Sequence, residues 1–150
     1  MITAIVFFVQ PNTMTSAYLQ QARPFSLYLQ RQLDNQRLNL DLMETWLNRP
    51  LNLDDFANFA PWPTLIENRD EEEMSRQLRI LRRHVVCQIM VRDLCRLAPL
   101  SEVTSSITLF ADFAMNTALV YAENHYEHMY GKPLGCFTGY EQHLTVVGMG

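Results

Sequence analysis

"DEEEMSRQLRILRRHVVCQIMVRDLCRLA", residues 70–98, runs without a proline or a glycine. Met74, Leu78, Leu81, Val85 and Ile89 recur in it at intervals of three or four, the spacing of one helix face. Asp70 stands where an N-cap is needed, with Glu73 three residues on, and the acids of residues 70–73 meet the positive end of the helix dipole. The pattern predicts a helix over 70–98, roughly 43 Å long at 1.5 Å per residue. Helices of that length are uncommon in globular domains, so the apolar stripe requires a long partner.

The partner follows directly. Pro99 and Leu100 break the chain, and Ser101 is placed to cap. Val103, Ile107, Phe110, Ala114, Ala118 and Tyr121 then repeat every three or four residues until Gly131, Lys132 and Pro133 end the run. A two-residue connection makes two long helices antiparallel neighbours. Leu109, Phe113 and Val120 widen the second helix's apolar arc toward whatever precedes it.

In the first half, Pro11, Pro24, Pro50, Pro61 and Pro63 divide the chain into short pieces. Helices are predicted over 24–34, 41–47 and 54–59, with Phe25, Leu27, Leu42, Trp46, Phe56 and Phe59 offered to a common core. Beyond Pro133, "LGCFTGYEQ" reads as a loop. "HLTVVGMG", residues 143–150, reads as a strand entering a Gly-x-Gly turn. A lone strand cannot satisfy its own backbone, so it is expected to belong to a sheet outside these residues. The expected fold is all-α: a helical bundle built on a long antiparallel helical hairpin, with one orphaned C-terminal strand. Its expected parts are an N-terminal extension (1–13), short helices (14–69), the hairpin (70–131), and a loop with the first strand of a truncated domain (132–150).

The 150 residues are 48% hydrophobic, enough for one compact domain. A formal charge of −4 and a sequence pI near 5.5 give no electrostatic footprint for nucleic acid. "MITAIVFFVQ" at the start is about half a membrane span and has no basic flank, so neither a membrane anchor nor a signal peptide is expected from it. Cys87, Cys95 and Cys136 are an odd set with no C-x-x-C spacing, and read as reduced thiols of a cytoplasmic protein.

Polar constellations are few. His125 and His128, with Glu127 between them, have a spacing that places two ligands on one helix face, but no second pair completes a metal set, and a solvated helix end is the favoured reading. His84 and His143 are isolated and are expected at the surface or the core edge. Arg79, Arg82 and Arg83 are expected on a solvated face opposite the apolar stripe, partly paired with Glu72 and Glu73. Arg92 and Asp93 are expected to make a polar contact within the bundle. No G-x-S-x-G, H-E-x-x-H, P-loop or Asp-x-Asp occurs.

Three blocks together resemble the glutamine synthetase adenylyltransferase family, the bifunctional adenylylating and adenylyl-removing enzymes. They are Leu78, Arg79, Leu81, Arg82 and Arg83; then Thr104, Ile107, Thr108, Phe110, Ala111 and Asp112; then Gly148, Met149 and Gly150. The resemblance implies a parent enzyme with two nucleotidyltransferase domains using Mg2+ and ATP or ADP, and glutamine synthetase and the PII regulator as partners. It also implies that Gly148 and Gly150 begin a phosphate-cradling glycine loop. The rest of that loop and the metal-binding acidic strand would lie beyond Gly150, so this stretch is expected to be a non-catalytic helical scaffold that forms homodimers, if any, through its exposed last strand. The rival expectation is an autonomous helical interaction module.

Overall fold

The computed structural model describes residues 13–147. Seven α-helices and one 3-10 turn account for its regular structure, and the described residues contain no strand. The chain is all-α.

The first helix, α1 (Thr13–Ala22), leads into a 3-10 turn at Arg23–Phe25 and then α2 (Leu27–Asp34). The single helix expected over 24–34 is thus split, because Ser26 turns extended and its Oγ accepts from the Leu29 N–H at 3.1 Å, starting a new helix. The split leaves Phe25 and Leu27 exposed, at 72% and 62%, rather than in the core as the spacing suggested. Helix α3 (Leu40–Leu47) is capped by Asn39 and α4 (Leu53–Ala57) by an Asn52/Asp55 capping box. The sequence reading had no counterpart of α5 (Trp62–Asn68). Pro63 falls in its first turn, where a missing N–H is harmless.

Helix α6 (Glu71–Leu94) begins as expected, with the Asp70 carboxylate accepting from the Glu73 N–H at 2.9 Å. It stops before the expected residue 98. Arg96 turns left-handed (φ 57°), its N–H bonds Asp93 O, and the Leu97 N–H bonds Arg92 O at 2.7 Å, a Schellman ending. The connection to α7 (Leu100–Tyr130) is correspondingly longer than two residues. Pro99 is the N-cap of α7 and makes no side-chain cap bond, so Ser101 does not cap; it lies exposed within the first turn. The Arg92–Glu102 pair joins the end of α6 to the start of α7, whereas Tyr121, far along α7, donates to Arg69 O at 3.0 Å just ahead of α6. The two helices therefore run in opposite directions.

Two apolar clusters hold the bundle. One gathers Trp46, Phe56, Trp62, Met74, Leu81, Val85 and Ile89 with Phe110 and Phe113 packed against it. Phe56, fully buried, lies edge-on to Phe110 at 5.8 Å and tilted against Phe113 at 5.5 Å. The Trp62 indole N–H reaches Phe56 O at 2.8 Å, so the ring enters the core with its one polar atom satisfied. The other cluster packs Leu19, Ala22, Leu29, Leu38, Met43 and Leu47 on Cys87 and Val91 of α6.

Candidate functional site

Beside its apolar stripe α6 carries a polar row, His84, Gln88 and Arg92, spaced by four and all buried. Each side chain grips backbone of the first half. His84 Nε2 accepts from the Asn39 N–H at 2.9 Å and its Nδ1 faces Ile80 O at 2.9 Å, so the ring is neutral with the proton on Nδ1. Burial, with help from the Arg83 charge, pulls its pKa below the ordinary value, against the opposing pull of Ile80 O. Gln88 donates to Trp46 O at 2.9 Å and to Arg49 O at 3.3 Å.

Arg92 is the densest junction. Its guanidinium donates to Leu47 O at 2.6 Å, to Leu97 O at 3.1 Å, and through Nε and Nη2 to both carboxylate oxygens of Glu102. One side chain thereby joins the end of α3, the α6–α7 connection and the first turn of α7. The expected polar contact of Arg92 exists; Asp93, named with it, is exposed and has no part in the junction. Arg49 makes a comparable fork to Asp55 at 2.6 and 2.7 Å. Burial pushes the Asp55 carboxyl up, but the Arg49 fork and the Asn52 N–H outweigh it and hold the group below its ordinary value.

The opposite condition holds on α7. Of its 31 residues only Ser106 and Tyr121 are buried, and Ile107, Met115, Val120, Tyr126 and Met129 are about half exposed or more. It is the one described helix long and apolar enough, by length and composition, to cross a membrane. An apolar groove of about 630 Å³ runs between α4, α5 and α7, lined by Leu53, Trp62, Ile66, Leu109, Phe113 and Val120. Residues 143–147, read from sequence as part of a strand, are irregular and exposed; the Leu144 N–H is tied to Glu123 Oε1 of α7 at 3.2 Å, with His143 Nδ1 3.6 Å from the same oxygen. Among the described residues no strand lies beside them, so they have no ladder partner there. The bridge between Leu134 and Glu141 closes only the loop before them.

Other expected residues separate. Gly148 and Gly150 lie outside the described residues, as does the N-terminal extension through residue 12. His125 stacks on Tyr121 at 5.8 Å with its Nδ1 buried and unpartnered, while His128 is exposed. Among the described residues no group of three His, Cys, Asp or Glu could hold a metal ion. Arg79 and Arg82 are exposed, and Arg83 reaches Arg37 O at 3.5 Å; the pairing of Glu73 is with Arg76, at 2.6 Å, one turn on, and that fork pulls its carboxyl down to about 2. Burial pushes the Cys87 thiol up to about 12, which makes it inert packing. Sequence reading missed Gln88, although its spacing of four from both His84 and Arg92 was a usable signal.

Comparison with known proteins decides what kind of chain this is: residues 17–150 match the family described as glutamate-ammonia ligase adenylyltransferase. The chain belongs to that family. A bifunctional glutamine synthetase adenylyltransferase/adenylyl-removing enzyme of Neisseria meningitidis serogroup A is 50% identical over 137 residues, covering 91% of this chain and 15% of the relative. The protein of the same description from Chromobacterium violaceum is 39% identical over 136 residues, again 91% and 15%. No solved structure matches. The chain thus spans about 15% of the length of these adenylyltransferase-family relatives.

Proposed function

We propose that this chain is a non-catalytic helical scaffold within a cytoplasmic bifunctional enzyme that adenylylates and deadenylylates glutamine synthetase. The supporting observation is α7: of its 31 residues only Ser106 and Tyr121 are fully buried, Ile107, Met115, Val120, Tyr126 and Met129 are about half exposed or more, and Leu144, Val146 and Val147 beyond it are exposed too. Exposed apolar residues gathered along one helix in this way point to an interface. In this reading the α7 face buttresses a nucleotidyltransferase sheet, residues 143–150 pair with that sheet as a strand, and Gly148 and Gly150 open its glycine loop. Mg2+, ATP or ADP, glutamine synthetase and PII engage the rest of the enzyme. Held alone, the same surface drives self-association.

The experiment is a two-part assay. Alone with adenylylated glutamine synthetase, phosphate and magnesium, the chain is expected to release no ADP. Mixed with the separately expressed remainder of the meningococcal relative, it is expected to form a stable complex in which α7 amides gain protection from hydrogen exchange. ADP release by the chain alone at an enzyme-like rate, or no complex with the remainder, overturns the reading.

A further inference from the structure

The outward side of α6 carries Arg79, Arg82 and Arg83, which the scaffold reading on α7 does not use. Arg79 and Arg82 are exposed and Arg83 is half-buried. Arg79 and Arg83 stand one turn apart, about 6 Å along the axis, with Arg82 beside them. Arg83 Nη1 donates to Arg37 O at 3.5 Å, which brings a fourth arginine, itself exposed, beside the row from 46 residues upstream. Sequence spacing suggested Glu72 and Glu73 as partners, but Glu73 is taken by Arg76. Among the described residues no Asp or Glu lies within ion-pair distance of any of the four, and residues 1–12 and 148–150 contain neither. In a chain of net charge −4, gathering these cations without a counter-charge costs a repulsion that nothing in the fold offsets. The neutral groups around them register the same field. Burial, with Cys87, raises the Tyr28 phenol while Arg83 and Arg82 pull it down; burial lowers His84, and Arg83 lowers it further against the pull of Ile80 O. Tyr28, 42% exposed on α2, thus lies at the edge of the patch.

We infer that this face docks an acidic segment of a partner protein, a helix whose carboxylates stand one turn apart and are taken by the guanidiniums of Arg79, Arg82 and Arg83, with the Tyr28 ring against its apolar body. Guanidinium forks match carboxylates in two-bond geometry, and the spacing of the row matches that of acids on a helix face. A row along a convex helix does not converge on one point, so a free phosphate ion gains few contacts at once. A nucleic acid is the poorer fit as well, because Glu71 and Glu72, exposed at the start of the same helix, repel a polyanion that continues past the arginines.

The test uses the full chain, isotope-labelled, titrated separately with an alanine-based helical peptide bearing glutamate at every fourth position, the same peptide with glutamine there, inorganic phosphate, and single-stranded oligothymidylate. The glutamate peptide is expected to bind with Kd on the order of 0.1 mM at about 20 mM salt, about tenfold more weakly at about 200 mM, and to shift the amides of Arg79, Arg82, Arg83, Arg37 and Tyr28. Arg79→Glu should weaken it at least about fivefold. Its thermal midpoint should be equal or higher, because Arg79 is exposed, has no ion-pair partner and adds to the repulsion of the row. Arg96→Glu makes the same change of net charge just beyond the end of α6 and should leave the affinity within about twofold. Each of the following overturns the proposal: equal binding of the glutamine peptide, tighter binding of phosphate or oligothymidylate, an equal loss with Arg96→Glu, or shifts that fall elsewhere. A lower midpoint in Arg79→Glu assigns the arginines to the bundle itself, and salt-sensitive self-association that Arg79→Glu removes assigns the face to a second copy of the chain; either result also overturns it.

Discussion

His84 holds the N-terminus of α3 through an acceptor nitrogen, and protonation would place an N–H where it now accepts one. The ring is therefore kept neutral in the folded chain, with its pKa below the unfolded value of about 6.5. The sign follows from linkage: below that value the unfolded state binds the extra proton first, so this stability is complete above about pH 6.5 and is lost as pH falls toward the folded pKa. Urea unfolding followed from about pH 7.5 to pH 5 should show stability falling by at most about 1.4 kcal/mol per pH unit from this group, and His84→Gln should flatten that component. An unchanged slope in the variant contradicts the latch. Arg92 sits at the same scale with a larger stake. Its side chain is 8% exposed and Glu102 17%, so Arg92→Ala strands a carboxylate and the Leu47 and Leu97 carbonyls. The expected destabilisation is about 3–5 kcal/mol in chemical denaturation, with Arg92→Met milder because it keeps the packing.

Element boundaries follow rules of different legibility. The start of α6 was readable because Asp70 and the acids after it form a local cap whose partners lie within one turn. The helix ends were harder: α2, α5 and α6 stop at Gln36, Arg69 and Arg96, each with positive φ and none of them glycine. A left-handed stop on a β-carbon-bearing residue has no sequence flag, and the energy that enforces it comes from the Schellman bonds and the packing beyond. Arg96 is exposed and its φ of 57° suits glycine, so Arg96→Gly is expected to raise stability by about 0.5–1 kcal/mol, seen as a higher thermal midpoint. A lower midpoint would mean that the arginine side chain contributes more than its backbone strain removes. Helix α5 is hidden in the sequence for a different reason: Pro61 and Pro63 look like breaks, although proline in the first turn is compatible with the helix it opens.

At the scale of the whole molecule the burial is lopsided. Helix α6 contributes nine buried residues and α7, though longer, only two. The bundle therefore spends α6 as its interior rod and leaves α7 as its wall. Ile107 and Val120 are 52% and 49% exposed on that wall, so Ile107→Glu with Val120→Glu should change the unfolding free energy by little, on the order of 0.5 kcal/mol per site. The same pair should abolish concentration-dependent association measured by sedimentation, together with complex formation with the remainder of the relative. A double variant that unfolds would show that the wall is needed by this bundle itself, and one that still associates would locate the contact elsewhere.

The sequence by itself determined the helical class, the two long rods, the cap of α6, and the family, since each rests on residues close together along the chain or on a pattern shared with relatives. Only the tertiary structure decided which polar side chains became struts. His84, Gln88 and Arg92 find their partners about forty residues upstream, at Asn39, Trp46 and Leu47. Such bonds depend on where α3 docks on α6, and hydrophobic periodicity is silent about that. The same limit governs residues 143–147: β-branched apolar residues favour a strand, but a strand exists only where another backbone supplies the missing hydrogen bonds.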